Sequence, residues 1–108
     1  MTINFEDFKK LDIRIGTIVE AQTMEGSNKL LKLVVDFGGE IGKRQILSGI
    51  AKFYTPEQLL GRQCPFIINL EPKVINEMES QGMILCADNG APVLLHPDKE
   101  VLPGSVIH

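Results

Sequence analysis

The chain has 108 residues, of which 44% are hydrophobic and 23% charged, a composition typical of one globular domain and not of a disordered tail. Its 14 acidic and 11 basic residues give a net charge of −3, whereas proteins that bind nucleic acids are usually basic. The length predicts one domain over residues 1–108. Because the apolar runs are short, we expect no membrane span, and because the N-terminus lacks a signal-peptide pattern, we expect a cytoplasmic protein.

The chain is predicted to begin with a short helix and a strand. Asn4 is a suitable N-cap for a helix that ends near Lys10, with two acidic residues in its first turn. Residues 11–21 are predicted to form the first strand, in which the odd-numbered residues from 13 to 19 share one face. Gly16 is predicted to be a bulge or a sharp bend in this strand.

Two more strands and a second helix follow. Residues 29–37 alternate between apolar and polar side chains, and residues 45–50 return as a third strand after a glycine-rich turn. Thr55 begins a capping box with proline at the first helical position, and Gly61 is a natural stop for this brief helix.

The second half of the chain predicts short strands only. Residues 64–69 are predicted to form a fourth strand and residues 106–107 an edge strand. Residues 82–87 and 93–95 are predicted strands on either side of Asp88-Asn89-Gly90, a sequence typical of a hairpin turn. Many short strands with one small helix between the third and fourth predict an all-β OB-fold Greek-key barrel with terminal extensions. A small β-sandwich gives a similar pattern, but the position of the helix favours the barrel.

No motif for catalysis or for a cofactor is present. The sequence has no P-loop, nucleophile elbow, dinucleotide fingerprint or zinc-protease motif. Cys64 and Cys86 lie in apolar surroundings and are predicted to be buried and reduced. His96 is isolated from any carboxylate pair, and Asp12 and Arg14 are expected to form a structural ion pair. We therefore expect a protein that is not an enzyme, with no catalytic residue, metal or cofactor.

The candidate site is a surface rather than a catalytic cluster. Residues 29–73 hold seven basic and four acidic residues, a local net charge of +3, which permits one basic face on an acidic protein. Basic side chains neutralise phosphates, hydroxyl and amide groups bind phosphate or 2′-hydroxyl oxygens, and methionine can contact an unstacked base. The candidate RNA-binding residues are Lys29, Lys32, Arg44, Asn69, Ser80, Gln81 and Met83. Solubilising lysines, a turn asparagine and a core methionine are the structural alternatives.

Four segments carry a resemblance to a known family. They are Asp12-Ile13-Arg14-Ile15-Gly16, Arg44-Gln45-Ile46-Leu47-Ser48-Gly49-Ile50, Asn69-Leu70-Glu71-Pro72 and Ser80-Gln81-Gly82-Met83. In this order and spacing, from about residue 8 to residue 104, the chain resembles the tRNA-binding domain at the C-terminus of many methionyl-tRNA synthetases. The same domain also occurs as small free-standing, structure-specific tRNA-binding proteins.

The resemblance implies a non-catalytic module that recognises tRNA by its folded shape and backbone, free-standing or appended to an aminoacyl-tRNA synthetase. It places Lys29, Ser80 and Met83 at the tRNA site. It also implies a homodimer held by the terminal segments, here the tail after Asn89 together with Ile3 and Phe5. A tail that wraps its own barrel is the alternative.

One departure from the family pattern and one alternative function accompany this prediction. Glu77-Met78-Glu79 replaces the usual glycine before the Ser-Gln-Gly-Met motif, and its carboxylates oppose phosphate binding. A chaperone-like or protein-interaction homodimer of the same fold is the alternative, which the acidic net charge favours.

Overall fold

The computed structural model describes the whole chain, residues 1–108, as two short helices and ten strands. In chain order they are α1 (Phe5–Phe8), β1 (Ile13–Thr23), β2 (Leu31–Asp36), β3 (Lys43–Ser48), α2 (Pro56–Leu59), β4 (Gln63–Ile67), β5 (Lys73–Ile75), β6 (Met78–Ser80), β7 (Met83–Ile84), β8 (Cys86–Asp88), β9 (Pro92–Leu94) and β10 (Val106–Ile107).

Six of these strands form one antiparallel sheet that curls into a nearly closed barrel. The strand order is β3-β2-β1-β4-β7, and β10 pairs with the start of β1. β3, at one end of this order, contacts β6 and β7 and so brings the two ends of the sheet together. There the backbone N–H of Gln81 donates to the carbonyl of Gln45 at 2.8 Å. The predicted all-β OB-like barrel, with α2 between β3 and β4, is confirmed.

Thirteen buried side chains fill the barrel. The alternation predicted for residues 29–37 is confirmed, because Leu31, Leu33, Val35 and Phe37 are all buried. The ring of Phe37 meets that of Phe66 edge to face, with centroids 5.5 Å apart. Removal of this apolar surface from water is the main stabilisation available to a domain of this size.

The irregularity in β1 is not where the sequence predicts it. The register between β1 and β2 shifts between Ile18 and Glu20, and not at Gly16. As a result Ile18 enters the core, whereas Val19 is only half-buried. Steric packing explains the glycine at position 16 instead, because an added Cβ would lie only 2.7 Å from Cε1 of Phe37.

Both helices begin where their capping residues predict. The Asn4 side chain accepts a hydrogen bond from the backbone N–H of Asp7 at 2.8 Å, although α1 ends before Lys10. Thr55 and Gln58 form the reciprocal capping box at the start of α2. Neither helix has the length or apolar character to cross a membrane.

The β5–β6 hairpin is absent from the sequence prediction. Its turn contains Asn76 and Glu77, which have φ values of 50° and 66° without being glycines. The two strands are only three residues long, so their alternation gives a weak signal. The other hairpin, predicted around residues 88–90, is confirmed as β8–β9, and the predicted edge strand is confirmed as β10.

Candidate nucleic-acid interface

Ser80 lies inside the barrel wall rather than on the surface. Only 6% of the residue is exposed. Its hydroxyl accepts a hydrogen bond from the backbone N–H of Leu47 at 3.0 Å and donates one to the carbonyl of Gly82 at 3.0 Å. Ser80 therefore joins the segment before β7 to β3, and this structural role accounts for its hydroxyl.

Gln81 also joins the segment before β7 to β3. Its side-chain Oε1 accepts from the backbone N–H of Gln45 at 3.0 Å, and Nε2 of Gln45 donates to the carbonyl of Glu79 at 2.9 Å. The side chain of Gln81 is thus held in one orientation at the surface. Gln45 is a part of this arrangement that was not among the predicted site residues.

Arg44 connects the end of β4 to the Ser-Gln-Gly-Met segment. Its Nη1 donates to the carbonyl of Ile68 at 2.6 Å and to the carbonyl of Gln81 at 3.3 Å. Both acceptors are uncharged, so these two hydrogen bonds leave the positive charge of the guanidinium on this face. Ordering by two backbone carbonyls also reduces the entropy that Arg44 would lose on binding an anion.

Two adjoining grooves lie between the β5–β6 hairpin and the barrel. The first, of about 250 Å³, is lined by Leu47, Leu70, Glu71, Lys73, Ile75, Ser80, Gly82 and Met83. The second, of about 320 Å³, is lined by Arg44, Ile68, Leu70, Pro72, Glu79 and Gln81. We call this surface the grooved face. It brings together four predicted residues, Arg44, Ser80, Gln81 and Met83, and Met83 is 47% exposed.

Lys32 borders the grooved face, and Lys29 lies at the turn before it. Lys32 is directly opposite Leu47 in the β2–β3 ladder, and opposed residues of a ladder share one face of the sheet. Lys29 is exposed in a turn where the hydroxyl of Ser27 accepts its backbone N–H at 3.3 Å. Its carbonyl accepts from the backbone N–H of Ala51 at 3.0 Å, which brings the neighbouring Lys52 close.

The side chain of Asn69 is committed to the backbone. Its Oδ1 accepts from the N–H of Asp12 at 2.8 Å, and its Nδ2 donates to the carbonyl of Lys10 at 2.6 Å. These bonds fix the entry to β1. Asn69 is therefore a structural residue in this chain, and contact between its side chain and RNA stays a prediction.

The basic residues of the central segment have no acidic partners. The three ion pairs of the structure involve Lys9, Lys10 and Arg14, all before residue 29. Arg14 pairs with Asp12 at 2.8 Å as predicted, and this hydrogen bond raises the pKa of Arg14. No basic side chain between residues 29 and 73 forms an ion pair, although Arg62 donates to the carbonyl of Gln58 and contacts His96.

Acidic residues line the grooved face as well. Glu71 lies in one groove and Glu79 in the other, so the surface carries mixed charge rather than a continuous basic patch. Lys73 lines the first groove and was not predicted as a site residue, since the hairpin that carries it was not predicted. No group of three or more His, Cys, Asp and Glu side chains is placed to hold a metal ion.

A third cleft, of about 400 Å³, contains none of the predicted residues. It is lined by Thr17, Gly61, Gln63, His96, Pro97, Asp98, Lys99 and Glu100. His96 faces Arg62 there, with Nε2 and Nη1 2.9 Å apart. The cleft has acidic and basic side chains in similar number, and we use it below as a reference surface.

The comparisons with known proteins agree with this description. The sequence model of a family described as "Putative tRNA binding domain" matches residues 13–106. The methionine–tRNA ligase of Methanothrix thermoacetophila is 56% identical over 103 residues, which are 94% of this chain but 15% of the ligase. The chain thus spans about one sixth of such relatives.

Two solved structures match over their full length. One is a MetRS-related protein from Pyrococcus horikoshii, with a TM-score of 0.91 and 33% identity over 100% of this chain and 99% of the other. The second is the chaperone CsaA of Bacillus anthracis, with a TM-score of 0.89 and 36% identity over 100% of both chains.

Proposed function

Because this chain belongs to the putative tRNA-binding domain family, we propose that it is a non-catalytic module that binds tRNA through the grooved face and recognises it by shape and backbone. The observation that carries the proposal is the convergence of Arg44, Gln81 and Met83 on a grooved surface whose neighbouring basic side chains have no ion-pair partners.

The chemistry of this face suits a folded RNA. Lys29, Lys32, Arg44 and Lys73 supply positive charge for phosphates, and the apolar floor beside Met83 suits one unstacked base. No aromatic residue lines either groove, so the stacking surface typical of single-strand binders is missing. We therefore infer recognition of tRNA shape rather than of a base sequence.

The proposal assigns no aminoacylation to this segment. The matched ligases are about six times longer than the chain, and their activity is not transferred to it. The module acts either free-standing or as an appendage of an aminoacyl-tRNA synthetase, and we infer from the proposed tRNA binding that it acts in the cytoplasm.

We also propose a homodimer formed by the two termini. Leu102 is 82% exposed and Phe5 is 69% exposed, and Ile3 and Val106 are exposed as well. β10 pairs only with β1, which leaves its other edge open. A symmetric copy would cover these apolar side chains and set two grooved faces on one particle, so that one tRNA could meet both.

A filter-binding titration with bulk tRNA at two salt concentrations tests the RNA proposal. We expect saturable binding that weakens as salt rises. The logarithm of the binding constant should fall with the logarithm of the salt concentration by about 0.9 for each neutralised phosphate. Several unrelated tRNAs should bind within a few-fold of one another, and an unstructured RNA of equal length should bind much more weakly. Equal affinity for the unstructured RNA, or strong preference for one tRNA, would contradict recognition by shape.

A polypeptide-binding dimer is the second candidate function. Two observations favour it: the full-length match to the chaperone CsaA and the net charge of −3. The apolar floor of the first groove could equally receive an apolar side chain of an unfolded client. Suppression of the aggregation of an unfolded protein, measured by light scattering in a preparation that does not retain tRNA on filters, would favour this candidate.

A further inference from the structure

Cys64 lies on β4, and Cys86 lies two residues after the end of β7, the strand that pairs with β4. β4 and β7 are antiparallel, with Phe66 opposite Ile84 and Ile67 opposite Met83. The same register continued by two residues places Cys64 opposite Cys86. The backbone N–H of Leu85 donates to the carbonyl of Pro65 at 3.0 Å, one residue beyond the paired strands, whereas Cys86 begins β8 and pairs with Leu94 of β9.

The spacing of this pair suits a disulfide. Hydrogen-bonded and non-hydrogen-bonded pairs alternate along an antiparallel ladder, and Leu85 with Pro65 is the hydrogen-bonded one. In this extended register Cys64 and Cys86 would occupy a non-hydrogen-bonded position, at which Cα atoms are about 4.5 Å apart. Disulfides span Cα separations of about 4.4–6.8 Å.

Both side chains point to the same apolar cluster. Cys64 belongs to the buried core, and Cys86 packs against that core from a half-buried position. Burial raises the pKa of the Cys64 thiol to about 11, and a further contribution comes from the neighbouring Cys86. Burial raises the pKa of Cys86 too, but its exposed fraction makes it the thiol that a solvent oxidant reaches first.

We propose that Cys64 and Cys86 are an oxidation site that forms a cross-strand disulfide with a low-molecular-weight disulfide oxidant such as oxidised glutathione. The Cys86 thiolate attacks one sulfur of the oxidant, forms a mixed disulfide and releases one glutathione thiolate. The Cys64 thiolate then attacks the Cys86 sulfur and releases the second glutathione thiolate. The two protons lost by the cysteines end on the two glutathione thiols, so two electrons pass from the protein to the oxidant.

The bond would enclose the segment that carries the grooved face. Residues 65–85 include the β5–β6 hairpin and the Ser-Gln-Gly-Met motif. A cross-link around this segment restricts the unfolded chain, so the oxidised protein should unfold at a higher temperature than the reduced protein. This inference concerns the thiols alone and does not depend on RNA binding.

The test exposes the full chain to a graded series of reduced and oxidised glutathione, followed by alkylation and intact-mass measurement. In the wild type we expect a loss of two hydrogen atoms without a retained glutathione, no disulfide between chains on a non-reducing gel, and a melting temperature raised by about 10 °C. A reductant should reverse both changes.

Single variants identify the order of the steps. In Cys64→Ala, Cys86 should retain one glutathione because no second thiol displaces it, and in Cys86→Ser the buried Cys64 should stay unmodified. Circular dichroism establishes that each variant is folded, and Cys86→Ser, at the half-buried position, keeps the test valid if Cys64→Ala does not fold. A wild type that stops at the mixed disulfide, links only between chains or stays fully reduced in oxidised glutathione would overturn the proposal.

Discussion

Ser80 has one buried hydroxyl and two backbone partners, and this geometry sets its expected contribution to stability. Ser80→Ala should lower the free energy of unfolding by about 1–3 kcal/mol, because the N–H of Leu47 is left without an acceptor inside the barrel. Urea unfolding followed by circular dichroism measures the change. Ser105→Ala is the control, since its hydroxyl donates to an exposed carbonyl and its loss should cost less than about 0.5 kcal/mol. Equal stability of Ser80→Ala and the wild type would contradict the role assigned here.

Lys29 is an exposed lysine whose side chain has no acidic partner, so its replacement should act on binding and not on folding. Lys29→Ala should weaken tRNA binding by roughly 1 kcal/mol and reduce the salt dependence by about one phosphate contact. Filter binding at low and moderate salt measures both quantities. Lys99→Ala, in the cleft that holds His96, is the matched control and should change neither. Unchanged affinity and salt slope in Lys29→Ala would place the RNA elsewhere.

Sequence reasoning predicted surface roles for several polar side chains and did not predict their internal hydrogen bonds. Ser80 and Asn69 are hydroxyl and amide residues near a predicted surface, and the sequence does not distinguish a group that binds a ligand from one that binds a distant backbone amide. Their partners, at Leu47, Asp12 and Lys10, become neighbours only in the folded barrel.

The β5–β6 hairpin forms one wall of both grooves, and its turn is under strain. Glu77 has φ 66°, a left-handed conformation that favours glycine. Glu77→Gly should stabilise the hairpin by about 0.5–1 kcal/mol and tighten tRNA binding, because it also removes a carboxylate near the grooved face. Glu77→Gln separates the two effects, since it removes the charge and keeps the strain.

These two variants give distinct results in two measurements. Thermal unfolding should respond to Glu77→Gly only, whereas RNA affinity at low salt should rise in both variants. If Glu77→Gln binds tRNA no more tightly than the wild type, the carboxylate at position 77 does not oppose binding.

At the level of elements, the prediction succeeded where several local signals agreed. β2 has alternation over residues 31–37, and α2 has a capping box, an N-terminal proline and a glycine after its end. The β5–β6 hairpin lacks such agreement, because its turn has no glycine and Val74 is exposed despite being apolar. The bulge in β1 was misplaced for a related reason: Gly16 satisfies a packing requirement of Phe37, which lies twenty-one residues later in the chain.

The whole molecule carries exposed apolar side chains at both termini, which leads to a prediction about assembly. Sedimentation equilibrium at micromolar concentration should give a dimer for the wild type and a monomer for the double variant Phe5→Glu with Leu102→Glu, because buried carboxylates are costly. Val74→Glu, 68% exposed on the β5–β6 hairpin, is the control and should stay dimeric.

Point variants are preferable to truncation for this test. A chain that ends at Asn89 loses Leu94, which is 7% exposed in the core, so its folding would change together with its assembly. A wild type that sediments as a monomer at micromolar concentration would contradict the homodimer.

The position of β1 in the sheet has a consequence for biosynthesis. Ile13 pairs with Ile67 on one side and with Ile107 on the other, so the first strand needs a partner from the middle of the domain and one from its last residues. Until residues 106 and 107 are synthesised, Ile13 and Arg14 lack this second partner, whereas residues 17–23 of β1 can already pair with β2. A chain interrupted before residue 106 would therefore expose two unpaired residues at the start of β1, a short edge to which another strand could add.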